Sequence, residues 1–200
     1  MSQFLETIRL YNGEFSALEY HQERVCKTFS AFYPKENPFD LNIELHSKNI
    51  PANGLYKCRI IYDSQIRKLE FIPYQLPIIR SLKLVQSNIS TTHYKSASRD
   101  ELNAAFSLRE SCDDVLLIKN SLLTDTSFCN IALFDGTEWL TPKTPLLYGS
   151  MRARLLNDGF LKEADIRVED LKCYNRISLF NAMIDIEQID IKISATTIVL

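Results

Sequence analysis

Apolar and polar positions change period several times along this 200-residue chain. "FLETIRL" mixes β-branched and polar residues and runs into "YNGEF". Asn-Gly is a strong hairpin signal because both residues tolerate positive φ. The pattern predicts two short strands, Phe4–Leu10 and Glu14–Ser16. In "LEYHQERVCKTFSAFYP", Leu18, Val25, Phe29 and Phe32 recur at helical spacing, with His21 near the same face. Pro34 closes that helix, and residues 39–48 predict another short one. "GLYKCRIIYD" returns to a strand period, with Tyr56, Cys58, Ile60 and Tyr62 on one side. "RKLEFIPY" is its expected antiparallel partner and "LKLVQS" a third strand. Residues 86–93 are polar and nearly free of large apolar groups, as a connection between domains would be.

The second half opens with a predicted helix over Arg99–Arg109. "DDVLLIKN" follows as a fully buried strand, and "FCNIALFDGTEWLTP" as a hairpin turning at Asp135-Gly136. Asp125 falls just before that hairpin's first strand. "GSMRARLLNDG" reads as a helix entered at Gly149 and stopped near Gly159. A strand around Ile166, a short helix over Glu169–Cys173, and strands near Phe180–Asp185 and Ile189–Ile193 complete the pattern. The class is α+β in two lobes: a small N-terminal one over 1–87, and one over 88–200.

Composition removes several function classes. Lys and Arg number 23 against 25 Asp and Glu, a net charge of −2 with no long run of either sign, so no basic nucleic-acid face is expected. No apolar run reaches the roughly 20 residues of a spanning helix, and no basic amphipathic segment suggests a membrane surface. "MSQFLETIRL" lacks a charged start followed by an apolar block, so the mature chain is expected to begin near Met1. The five cysteines are scattered and odd in number, which fits a reducing cytoplasm. The three histidines form no metal-binding spacing, and no metal site is expected. There is no P-loop, GxGxxG or GxSxG, and with five glycines a Gly-rich phosphate cradle is not expected. A phosphate would have to be met by helix N-termini and basic side chains.

Several short pieces keep a particular order. Phe4, Glu6, Thr7 and Arg9 are followed by His21 and Arg24, then by Lys95 in "HYKSASR". Thr124-Asp125, Asn130, Thr141-Pro142, and Leu147 through Gly149 to Arg152 complete the series. This order resembles the class IV aminotransferases, the fold-type IV pyridoxal-phosphate enzymes. These include branched-chain and D-amino-acid aminotransferases and aminodeoxychorismate lyases. The resemblance runs from "FLETIRL" to "FNAMID". It implies a two-lobed D-amino-acid aminotransferase-like fold, pyridoxal 5'-phosphate as cofactor, and a homodimer.

Roles follow from the resemblance residue by residue. Lys95 would form the Schiff base with the cofactor and then move a proton as a free amine, a role open to a lysine but not an arginine. Asp125 stands where the family usually has a glutamate beside the pyridine nitrogen; it keeps the charge with one methylene less reach. Arg24 would pair with the phosphate, and the amides of Ser150 and Met151 would hold phosphate oxygens at a helix start. "GSMR" stands for the family's usual G-I-T-R. Asn181 and Ala182 occupy the place of a second phosphate loop, or else begin a strand. Arg59 is a candidate for a substrate carboxylate, or an exposed strand arginine. Arg99 either orients the lysine loop or pairs with Asp100 or Glu101, and His93 and Tyr94 are expected as pocket wall. The activity implied is amino-group transfer on an amino acid. Cleavage of 4-amino-4-deoxychorismate to 4-aminobenzoate and pyruvate is the alternative. A degenerate relative that keeps the fold as a non-catalytic binding protein is a third reading.

Overall fold

A computed structural model describes residues 2–199 as two units. The first comprises the chain up to Leu76 together with His93–Ser98. Its elements are β1 (Phe4–Tyr11), β2 (Glu14–Phe15), α1 (Leu18–Phe32), α2 (Leu41–His46), β3 (Leu55–Tyr62) and β4 (Ile66–Pro73). The strands form one antiparallel sheet in the order β2-β1-β3-β4. Asn12 and Gly13 both take positive φ, 48° and 85°, as the tight turn between β1 and β2 requires. The period of two sends Phe4, Ile8 and Leu10 of β1, and Cys58, Ile60 and Tyr62 of β3, into a core closed by Val25, Phe29, Leu41 and Leu45. Each such side chain contributes roughly 1.5–3 kcal/mol when fully buried.

The buried face of α1 is His21, Arg24, Val25, Thr28 and Phe29. Two of these carry or can carry charge, and they face Glu6, which shares the inward side of β1. Phe32, expected on the buried face, lies in the last turn and is 44% exposed, its ring 4.7 Å from Phe4 and 4.9 Å from Tyr94.

The second unit holds Pro77–Thr92 and the chain from Arg99 onward. Its elements are β5 (Leu82–Gln86), α3 (Asp100–Ser107), β6 (Asp114–Lys119), β7 (Leu122–Thr126), β8 (Asn130–Phe134), β9 (Trp139–Pro142), α4 (Ser150–Asn157), β10 (Leu161–Ala164), a 3-10 segment (Val168–Cys173), β11 (Arg176–Asn181), β12 (Ile184–Lys192) and β13 (Ile198–Val199). A nine-stranded sheet runs β10-β9-β8-β7-β6-β5-β13, with β11 pairing β8 and β12. Met151 and Leu155 of α4 pack with Ala132, Trp139, Leu161 and Phe180.

Several expected boundaries move. "LKLVQS" is not a third strand beside β4. As β5 it pairs in parallel with β6 and β13, so Pro77–Thr92 belong to the second unit. His93–Ser98 belong to the first, because Leu5 N donates to Lys95 O and Ala97 N to Gln3 O, at 2.8 and 2.9 Å. The boundary expected at 87/88 is therefore replaced by these exchanges, and the segment bearing Lys95 lies with the N-terminal strands. Asp125 lies within β7 rather than before a strand. Ile166 follows β10 rather than occupying a strand; its carbonyl accepts from Leu123 N. Asn181 ends β11, and Ala182–Met183 form the turn to β12, so the expected strand Phe180–Asp185 is a hairpin bend.

Candidate active site

In the first unit, β1 carries chemistry on both faces. Inward, Glu6 is fully buried and meets both charged partners on α1. Arg24 Nε donates to Oε1 at 2.7 Å and Nη2 to Oε2 at 2.5 Å, a two-point pair that leaves Nη1 outside it. His21 Nδ1 is 2.6 Å from Oε2. Burial alone would raise the Glu6 carboxyl, but the charge and hydrogen bonds of Arg24, helped by His21, pull it down to about 2. Burial, helped by the charges of Arg24 and Lys95, lowers His21 despite its bond to Glu6, while Glu6 overcomes burial to raise Arg24. Glu6 is thus ionised, Arg24 cationic and His21 neutral at pH 7, with the His21 proton on Nδ1, the nitrogen facing the carboxylate.

The other face of β1 presents Thr7, whose Oγ1 accepts from Lys95 Nζ at 3.3 Å. Thr7 is the register partner of Arg59 on β3, so both side chains leave the same face of the sheet. Lys95 thus reaches the face that carries Arg59. Arg59 is half-buried and donates to Glu70 Oε2 at 3.3 Å across to β4.

In the second unit, Asp125 and Asn130 face each other across the neck of the β7–β8 hairpin. Asn130 Nδ2 donates to Asp125 Oδ1 at 2.9 Å and to Leu147 O at 2.8 Å, while Leu147 N donates to Asp125 Oδ2 at 2.9 Å. The two side chains together clamp one backbone position, two residues before the Gly149 cap of α4. Burial raises the Asp125 carboxyl to about 6 despite these bonds. Arg152, also buried, donates to Pro142 O and to Glu163. The spacing from Asp125 to Asn130, and on to Gly149 and Arg152, is thereby explained as one braced assembly.

Gly149 has no Cβ, and a methyl group there would lie 2.2 Å from Asn130 Oδ1. Asn130 cannot turn away without breaking its hydrogen bonds to Asp125 and Leu147 O. Gly149→Ala is therefore expected to destabilise the chain by roughly 1–3 kcal/mol. Thermal melting would show this as a fall of several degrees, and an unchanged Tm would contradict the clamp.

The expected residues thus fall into two groups: Arg24, Arg59 and Lys95 in the first unit, and Asp125, Ser150, Met151, Asn181 and Ala182 in the second. Ser150 and Met151 open α4 behind a glycine cap that supplies no side-chain acceptor. The Asn181 side chain is engaged: Nδ2 donates to Phe128 O and approaches Cys129 Sγ, each at 3.2 Å, and Oδ1 accepts from Met183 N. The half-buried Tyr94 packs on Phe4 and Phe32 at the edge of the first unit's core. Sequence reasoning gave no role to Glu6, Thr7 or Asn130. Glu6 carried a usable signal, a charge at an inward position between Phe4 and Ile8.

Residues 3–190 match the family described as amino-transferase class IV. The chain belongs to the class IV aminotransferase family. Its architecture is that of the fold-type IV pyridoxal-phosphate enzymes. An uncharacterized Haemophilus influenzae protein is 31% identical over 185 residues, 92% of this chain and 98% of that relative. A crystal structure from Haemophilus somnus, of a protein proposed to be a 4-amino-4-deoxychorismate lyase, superposes with a TM-score of 0.85 at 34% identity, covering 92% of this chain and 98% of that one. A hypothetical aminotransferase from Mycobacterium tuberculosis, in a pyridoxal-phosphate-bound form, gives a TM-score of 0.72 at 16% identity, covering 94% of this chain and 80% of that one. At that identity the likeness speaks for the class IV fold alone.

Proposed function

We propose that this class IV protein is a pyridoxal-phosphate-dependent lyase that converts 4-amino-4-deoxychorismate to 4-aminobenzoate and pyruvate. The observation that carries this reading is the 34% identity, across nearly the whole of both chains, to the Haemophilus somnus protein. Transamination, the first expectation from the resemblance, has support from likenesses of 20% identity or less among the solved structures compared.

The residues present fit the cofactor. Asp125 is a buried carboxylate whose pKa burial raises to about 6, and a protonated pyridine nitrogen would supply the positive charge that favours its ionised form. Arg24 keeps one guanidinium nitrogen outside its pair with Glu6 for a phosphate oxygen. The first amides of α4, Ser150 and Met151, are suited to phosphate oxygens. The backbone amides of Asn181 and Ala182 take the second phosphate position. Bound there, pyridoxal phosphate supplies an electron-accepting ring that stabilises negative charge at the substrate carbon bearing the amine.

The protein's own residues do the rest. Lys95 would hold the cofactor through its Nζ, and the freed amine would take the proton from the substrate carbon bearing the amine. Asp125 holds the ring nitrogen protonated, and Arg59 binds a substrate carboxylate. The overall balance closes: the ring carbon loses one proton, the departing enolpyruvate gains one, and the amino group stays on the aromatic product.

Reconstituted protein should be yellow, with borohydride fixing the cofactor to the peptide carrying Lys95. It should release pyruvate and 4-aminobenzoate in equal amounts with no amino acceptor present. Amino transfer to 2-oxoglutarate without pyruvate release would replace the lyase by a transaminase. Absence of any cofactor on the Lys95 peptide would leave only the non-catalytic binding protein.

A further inference from the structure

The outward face of the first unit's sheet carries a row of polar side chains. Thr7 of β1 is opposite Arg59 of β3, and Arg59 is opposite Glu70 of β4. Directly opposed residues of antiparallel strands point to the same side of the sheet. Leu69 and Phe71 of β4 pack on the core, so Lys68 and Glu70, which alternate with them, point away from it. Lys95 Nζ reaches this row at Thr7 Oγ1. Neighbouring strands lie about 4.8 Å apart, so Arg59 starts one strand from Thr7 and Glu70 two strands, about 10 Å away. A substrate held at Lys95 therefore meets Arg59 first, with Glu70 on the far side of it.

The pairing at the end of the row is unequal. Arg59 gives Glu70 a long contact, Nη1 to Oε2 at 3.3 Å, rather than the two-point fork that a guanidinium can offer a carboxylate. Lys68 Nζ lies closer, 2.8 Å from the other oxygen, Oε1. Lys68 first, and Arg59 after it, hold the Glu70 carboxyl below its ordinary range, so it is anionic at neutral pH. Arg59 and Glu70 are each only half-buried, and ion pairs open to water are weak. Glu70 thus keeps a cation beside it when Arg59 leaves, and Arg59 leaves at little cost.

We propose that Glu70 is a specificity-determining residue, an internal carboxylate that occupies Arg59 until a substrate carboxylate displaces it. The inference rests on the reading that Arg59 binds a carboxylate of the substrate. Glu70 then sets a threshold. A small anion drawn to Arg59 by charge alone has to compete with a carboxylate already in place. A substrate also anchored through its amine competes at a high effective concentration and wins. The exchange reverses at product release. Both products of the lyase reaction are carboxylates, and the return of Glu70 to Arg59 favours their departure. Such a built-in competitor trades affinity for discrimination.

The test compares holoenzyme of wild type, Glu70→Gln, Arg59→Ala and the double variant by steady-state pyruvate release. Removing the competitor is expected to lower KM by about two- to fivefold, the range of exposed ion pairs. Inhibition by 4-aminobenzoate or by pyruvate, whichever keeps the carboxylate held by Arg59, should tighten by a similar factor. Arg59→Ala should raise KM by about tenfold or more. In that background Glu70→Gln should lower KM no further, because Glu70 acts through Arg59. A merely structural pair would move Tm and leave KM and product inhibition at wild-type values; that result overturns the proposal. A raised KM in Glu70→Gln overturns it too, since Glu70 would then orient Arg59 for the substrate. So does an equal fall in KM in the Arg59→Ala background, which marks a general field rather than an exchange of partners. Wild type that releases no pyruvate, or Arg59→Ala at wild-type KM, sinks the functional reading of the site and this inference together. An impaired Arg59→Ala beside an unchanged Glu70→Gln sinks this inference alone.

Discussion

Lys95→Ala is expected to lose pyruvate release by about 10³-fold or more, because one group would lose both the covalent anchor and the proton carrier. The variant should stay folded. The Lys95 side chain donates a long hydrogen bond to Thr7 at 3.3 Å, while the segment's backbone bonds from Leu5 N and to Gln3 O do not involve the side chain. Loss of the Thr7 contact costs about 1 kcal/mol or less. The Tm should therefore move by no more than a few degrees, and borohydride should no longer fix cofactor to the peptide spanning residue 95. Arg24, Asp125 and the amides of α4 remain, so the variant should still bind pyridoxal phosphate, reversibly and without the covalent link. Wild-type turnover in a folded Lys95→Ala protein would remove Lys95 from the site.

What the sequence disclosed and what it hid divide along physical lines. Local turn chemistry was readable: Asn12-Gly13 and Asp135-Gly136 close hairpins where expected, because the φ values they need are properties of those residues themselves. The partner of β5 was not readable. "LKLVQS" carries a strand pattern, but nothing local says that it pairs with β6, beyond a helix, and with β13, near the far end of the chain. Strand β7 was hidden for another reason. Asp125 reads as falling just before a strand, yet Thr124, Asp125 and Thr126 lie buried within β7, with hydrogen bonds made inside the unit, as in the Thr124 bond to Leu117 O. The candidate site shows the same division. The order of Lys95, Asp125, Asn130, Gly149 and Arg152 was visible, and so was the resemblance it supports. The clamp on Leu147 and the 2.2 Å clearance that excludes a side chain at 149 are three-dimensional facts with no one-dimensional trace.

Glu6→Gln is expected to destabilise the first unit by roughly 3–5 kcal/mol, the usual effect of leaving one charge of a buried pair without its partner. The neutral amide keeps the shape of Glu6, but Arg24 remains a cation inside the core, with His21 neutral beside it. Read at pH 7 as a Tm change, this corresponds to a fall of about 6–20 °C. The pH dependence separates the charge from the packing. The Glu6 carboxyl falls from an ordinary 4.5 to about 2 on folding, a difference worth roughly 3 kcal/mol. The unfolded chain binds the proton first, so this stabilisation is complete above pH 4.5 and is lost as the pH falls through about 2. His21, lowered by burial, adds an acid loss of the same sign that begins near its ordinary 6.5. Asp125, raised to about 6, acts oppositely, binding its proton in the folded state first. Those two act with opposite signs as the pH falls, so they partly offset each other. The stability difference between wild type and Glu6→Gln should therefore be large at pH 7, shrink steadily below pH 4.5, and approach the small residual of an amide-for-acid exchange near pH 2. A difference that stays constant across that range would mean that the side chain stabilises the fold by shape and that its charge contributes nothing.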